Sequence, residues 1–151
     1  MEDQFDIKPY EGAGKIRFGM SPEDVNISLG PPDDTDINMF NEIKESRQDG
    51  GLNTVYSQKD RRLVEIGFSP NILGLTFKDT PVFVGRPLKV YKDFLKEDNE
   101  PYESVGFIVL FKIGVTLTGF HDNSPDDRAV TLFQKGRWDL YKTDLKPYRR
   151  R

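Results

Sequence analysis

The sequence contains no cysteine and one histidine, His121. Disulfides, thiolate metal sites, thiol catalysis and a histidine-rich metal centre are therefore excluded. Alanine, the strongest helix former, occurs only at Ala13 and Ala129. No apolar run reaches the length of a signal peptide or a membrane span, so a cytoplasmic location is expected and a membrane partner is not. An excess of one charge sign is also missing. Lys and Arg total 22, Asp and Glu total 25, and the net charge is −3. A polycationic nucleic-acid binder is not expected from that balance. What is abundant is aromatic and turn-forming: 11 Phe, 6 Tyr, 1 Trp, 13 Gly and 10 Pro. Aromatics favour pleated surfaces, so the expected class is α+β, rich in sheet with a few short helices. A chain of 151 residues makes one compact body.

The clearest local signal runs from Gly19 to Pro32. Ser21 is a good N-cap, Pro22 suits the first helical position, and Asp24 sits where a capping box needs a carboxylate. Met20 and Val25 have the spacing of a hydrophobic staple, Val25 and Leu29 share a face, and Gly30-Pro31-Pro32 stops the helix. A helix over about 22–29 follows. A second is expected from Arg86-Pro87, where Leu88, Tyr91, Phe94 and Leu95 recur at helical spacing. Strands are expected over Leu52–Ser57, Leu63–Phe68, Leu73–Phe77, Val105–Phe111, Val115–Phe120 and Ala129–Phe133. The stretch Asp33–Gly51 is ambiguous between a loop with an extended segment and a ragged helix. A last element includes Trp138, Leu140 and Tyr141. The first nine residues and the basic tail, 142–151, read as loosely held.

Both halves show the order helix, strand, turn, strand, loop, strand. Gly67-Phe68 then Leu75-Thr76-Phe77 matches Gly119-Phe120 then Thr131-Leu132-Phe133, and Pro22 matches Pro87. Two similar units, at about 10–80 and 81–141, are expected, each a short helix on an antiparallel sheet of three to four strands. The residues Gly14-x-Ile16, Gly19-Met20-Ser21, Val25 and Leu29-Gly30-Pro31 resemble the helix-entry motif of the SmpA/OmlA (BamE) family of outer-membrane assembly lipoproteins. The β-lactamase inhibitor protein family is similar in fold, with such a unit in tandem. The chain departs from the lipoprotein pattern in having neither a lipid-acceptor cysteine nor a signal peptide. The resemblance thus implies the fold alone, with no active site or cofactor, and action by surface complementarity. Small toxin-immunity proteins of bacteria are similar in size and in lacking cysteine chemistry.

The chemistry-bearing clusters read as ordinary structure. His121 to Asp127 offers Asp122, Asp126 and Asp127 as hard-cation ligands, but lacks calcium-loop spacing and reads as a turn. His121 has no nucleophile motif beside it and reads as a loop-edge residue. Gly12-Ala13-Gly14-Lys15 lacks the phosphate-loop pattern and runs into a strand-like Ile16-Arg17-Phe18. No metal or cofactor is expected.

Phe107–Phe111 is apolar on both faces, so it is either central and covered or part of a partner surface. With Val55 and Ile66 taken as inward, the outward positions beside it are Tyr56 and Glu65, with Thr116 and Thr118 on the same open face. These four, with Asp122 in the acidic loop, form the expected partner-binding set. The expected function is that of a non-enzymatic protein-binding inhibitor, most specifically an immunity protein occluding a toxin's active site. A basic toxin nuclease suits the acidic loops. The alternatives are a small hydrolase or nucleotide-handling enzyme with a site between the units, and a structural subunit of a larger assembly.

Overall fold

The computed structural model describes residues 4–149. Among these residues fourteen strands and two α-helices follow one another in the order β1 (Phe5–Lys8), β2 (Gly12–Ala13), β3 (Ile16–Arg17), α1 (Pro22–Leu29), β4 (Asp34–Ile37), β5 (Ile43–Arg47), β6 (Leu52–Tyr56), β7 (Leu63–Phe68), β8 (Leu75–Phe77), β9 (Thr80–Pro81), α2 (Pro87–Leu95), β10 (Tyr102–Ser104), β11 (Phe107–Leu110), β12 (Val115–Thr118), β13 (Ala129–Phe133) and β14 (Lys146–Pro147). The class is α+β.

Helix α1 forms where its caps direct. The Ser21 hydroxyl accepts the Asp24 amide, and the Asp24 carboxylate accepts the Ser21 amide in return. Gly30 ends it at φ +84°, a conformation that costs glycine nothing. Helix α2 has Pro87 at its first turn and buries Val90, Tyr91 and Phe94. The Phe94 ring stacks on Phe77 of β8 with centroids 4.4 Å apart.

The sheets are larger than the expected three to four strands. A nine-stranded sheet runs in the order β14-β10-β11-β12-β13-β7-β6-β5-β4, and a five-stranded one in the order β3-β2-β1-β8-β9. The cause is the central seam. β13 pairs antiparallel with β7, Thr131 opposite Gly67 and Phe133 opposite Glu65, which joins the strands after α1 to those after α2. Each helix precedes a four-strand meander, β4–β7 and β10–β13, and both meanders end at that seam. The motif pairing expected from sequence does not hold. Leu75–Phe77 lies in the smaller sheet, beside β1, whereas Thr131-Leu132-Phe133 lies in the larger one.

The inner face of the large sheet carries Leu52, Ile66, Phe68, Ile108, Leu110, Val115, Leu117, Val130 and Leu132, which share one core with Val25 of α1, Phe94 of α2 and Phe5, Ile7 and Leu75 of the smaller sheet. Within the described residues both ends are therefore better held than expected, and residues 1–3 lie outside that range. Phe5 and Ile7 are core residues, because β1 pairs with β8. Lys146–Pro147 pairs with β10, and Tyr148 packs against Tyr91 and His121. Arg150 and Arg151 of the basic tail lie outside the described residues. The ambiguous stretch 33–51 is the hairpin β4–β5.

No helix among the described residues is long and apolar enough to cross a membrane.

Candidate functional site: a groove on the outer sheet face

Ladder register assigns each predicted site residue a face, since side chains alternate along a strand. Val109 is opposite Thr116, Thr116 opposite Thr131, Thr131 opposite Gly67, and Gly67 opposite Asn53. These residues form the outer face. Thr118 belongs to it, opposite Phe107 and Ala129. Glu65 belongs to it too, opposite Phe133 and Val55. The expected outward Tyr56 does not. It is fully buried on the inner face, and Val55, itself buried, is the outer-face residue of that pair. The phase is set by chemistry that the sequence does not display. Tyr56 donates its hydroxyl to Glu45 at 2.8 Å, in a buried inner-face cluster with Arg47 and Thr54. Burial pushes the Tyr56 phenol well above its ordinary pKa. Asp122 is exposed, in the connection after β12 rather than on a strand.

The two-sided apolar strand β11 is covered on both faces. Ile108 and Leu110 face the main core. Val109 lies under a second cluster with Phe133 and Leu145, against which Tyr10, Tyr102, Phe107, Phe111 and Trp138 pack. The segment after β13 folds back to make this cover. Trp138 meets Phe107 at 5.6 Å and Phe133 at 6.1 Å between ring centroids. Thr116 is consequently buried as well, which removes it from the candidate surface.

The returning segment builds a site that the sequence did not reveal. Arg137, from the turn after β13, donates two hydrogen bonds of 2.8 Å to the Glu42 carboxylate and one of 2.9 Å to Glu65. Asn38 holds Glu42 in place, accepting its amide at 2.9 Å and donating to its carboxylate at 3.0 Å. These charges line a cavity of about 380 Å³ with Phe40, Trp138, Leu140 and Tyr141. Beside it a shallower hollow of about 300 Å³ includes Asn53, Gly67 and Thr131, and Glu65 lines both. Phe40 is 58%, Leu140 86% and Tyr141 45% exposed, and Met39 next to Phe40 is 89% exposed. Large apolar side chains left open around a paired charge are a feature of recognition surfaces. Only Glu65 of the predicted set lines this groove. Phe40, Leu140 and Tyr141 carried one usable signal, apolar residues without periodic companions in polar stretches. The Arg137–Glu42 pair spans 95 residues and has no local signature.

The hydrogen bonds from Arg137 hold the Glu42 carboxyl below the usual glutamate range, against the opposing effect of burial. A carboxyl with a lowered folded-state pKa contributes stability that is complete above the unfolded value and lost as pH falls through the folded one. Wild-type stability should therefore drop more steeply than that of Glu42→Gln between about pH 5 and pH 3. Urea midpoints measured across that range test this, and parallel profiles would refute it.

His121 is buried, not at a loop edge. Its ring packs against Tyr148 at 5.1 Å and Tyr91 at 6.2 Å, and Nδ1 has no hydrogen-bond partner among the described residues. Pro125–Asp127 is a single 3₁₀ turn, and the described residues include no group of three His, Asp or Glu placed to hold a metal ion. Gly12–Ala13 and Ile16–Arg17 pair with each other as β2 and β3, so Gly14-Lys15 is a hairpin turn.

No protein-family model, characterised protein or solved structure matches the chain.

Proposed function

We propose that the protein is a non-enzymatic binding protein, an immunity-type inhibitor that neutralises a bacterial toxin by covering its functional surface. The observation that carries this reading is the exposed ring of Phe40, Leu140 and Tyr141 around the Glu42–Arg137–Glu65 cluster. The cluster's charges are satisfied by one another, so the groove offers an incoming group apolar walls and a net negative floor. A protruding side chain with an apolar stem and a cationic end, on a basic partner, fits that combination. The succession of helix and four-strand meander before each side of the β7–β13 seam supports a tandem organisation of the kind the SmpA/OmlA-like motif implies. The binding surface differs from the one read from sequence. It lies across β7 and the returning 137–141 segment, because β11 is already covered.

Any toxin domain encoded by a gene adjoining this chain's own is the partner to test by calorimetry. Trp138, the only tryptophan, lines the groove, so its emission reports occupancy in the same titration. A saturable complex is expected, with Leu140→Asp weakening it by about 30-fold or more, the scale of a central apolar contact. The absence of a saturable complex, or one indifferent to Leu140→Asp, would overturn the reading.

A further inference from the structure

We infer that the free edge of β4 is a strand-addition site for an extended, basic partner segment in which cationic and apolar residues alternate. The inference deepens the reading of the chain as a binding protein, and it stands on its own observations.

The two sheets end in four edge strands, and they are not alike. β3, β9 and β14 are two residues long, and the last two end in proline, Pro81 and Pro147. Short edges and proline are how sheets discourage further pairing. β4 has four residues, Asp34-Thr35-Asp36-Ile37, no proline, and every side chain exposed. Its one neighbour among the described residues is β5.

The ladder shows which backbone groups are open. The Asn38 amide donates to Glu42, which makes Asn38 and Glu42 a hydrogen-bonded pair. Antiparallel pairs alternate, so Asp36–Lys44 and Asp34–Ser46 are hydrogen-bonded pairs too, whereas Thr35 and Ile37 turn their amides and carbonyls away from β5. The Ile37 amide fits this pattern, since it donates to the Asp36 carboxylate at 2.7 Å rather than to β5. A side chain thus covers part of the edge and would leave it once a cation draws the carboxylate away.

Charge selects the occupant. Asp34 and Asp36 share the outer face, with Ser46 and Lys44 opposite them on β5, and Asp33 precedes them. A second copy of the chain pairing antiparallel through β4 would set these aspartates against their own counterparts, which is unfavourable. A segment with Lys or Arg at alternate positions meets them favourably, and its intervening apolar residues fall on the side of Thr35 and Ile37. β4 leads through Asn38 and Met39 to Phe40, so a strand on this edge runs towards the groove.

The probe is a capped, labelled ten-residue peptide of alternating lysine and valine, followed by anisotropy and by amide shifts. The control alternates glutamate and valine. Saturable binding of the lysine peptide alone is expected, with the largest amide shifts at Thr35 and Ile37. Thr35→Pro removes an open edge amide and no β4–β5 bond, and should weaken binding by about tenfold or more. Asp34→Lys with Asp36→Lys should transfer preference to the glutamate peptide, which keeps the test decisive if the proline variant misfolds. No saturable binding, binding indifferent to Thr35→Pro in a folded variant, or a self-associated dimer dispersed by that change would overturn the inference. A toxin complex that needs Leu140 but ignores Thr35→Pro would remove this inference alone. Peptide binding without any toxin complex would remove the immunity reading alone.

Discussion

Glu45→Ala is expected to destabilise the fold by about 3–5 kcal/mol, the cost of stranding one member of a buried ion pair. Glu45 and Arg47 are both buried on β5, with Arg47 Nη1 3.3 Å from the Glu45 carboxylate. Arg47 has further contacts, from Nε to the Gly30 carbonyl at 3.1 Å and from Nη1 to the Thr54 hydroxyl at 3.4 Å, but these acceptors are neutral and Nη2 has none among the described residues. Removing Glu45 therefore leaves a desolvated cation beside a Tyr56 hydroxyl that has lost its acceptor. Tyr56→Phe alone should cost only about 1 kcal/mol, since one hydrogen bond is lost and the charge pair stays. The double replacement Glu45→Leu with Arg47→Met should recover most of the loss, because it removes both charges together. Denaturant midpoints for the three variants check the ordering. A Glu45→Ala loss no greater than that of Tyr56→Phe would show that water reaches the pair.

The second large effect is expected at Trp138. Trp138→Ala should cost about 2–4 kcal/mol, towards the lower end of aromatic truncations because the ring is only partly buried. Its rings contact Phe107, Phe133 and Tyr141, so one side chain covers the outer face of β11 and β13 and also supports the groove wall. Stability and partner affinity should fall together in this variant, whereas Leu140→Asp should lower affinity with little change in melting temperature, since Leu140 is 86% exposed. Trp138→Phe should retain most of both. Melting curves paired with calorimetry separate the two variants. An unchanged melting temperature in Trp138→Ala would mean that the returning segment is not part of the folded body.

Local features were legible in the sequence and distant ones were not. Helix α1 follows its caps residue by residue, because Ser21, Pro22, Asp24 and Gly30 act within one or two turns. β7 and β13 follow from their apolar content. The phase of β6 is not legible because four residues of Leu52-Asn53-Thr54-Val55-Tyr56 are buried, Leu52, Thr54 and Tyr56 on the inner face and Val55 on the outer one. Hydrophobicity cannot order that run when a buried carboxylate supplies the missing partner. The groove escaped notice for a related reason. Arg137, Glu42 and Glu65 come from three separate segments and look like ordinary surface charges until β13 places itself beside β7. Strand alternation alone puts Glu65 on the outer face. Its cation was out of reach of any pattern in the chain.

The seam at the middle of the large sheet also governs the order of events during synthesis. Gly67 finds its neighbour Thr131 only after both meanders have left the ribosome. Until then β7 is a bare, valine- and isoleucine-bearing border on a half-built sheet, open to the same strand of another nascent copy. Non-local closure of this kind is slow, on the order of milliseconds to seconds, and the unpaired border is open to self-association during that interval.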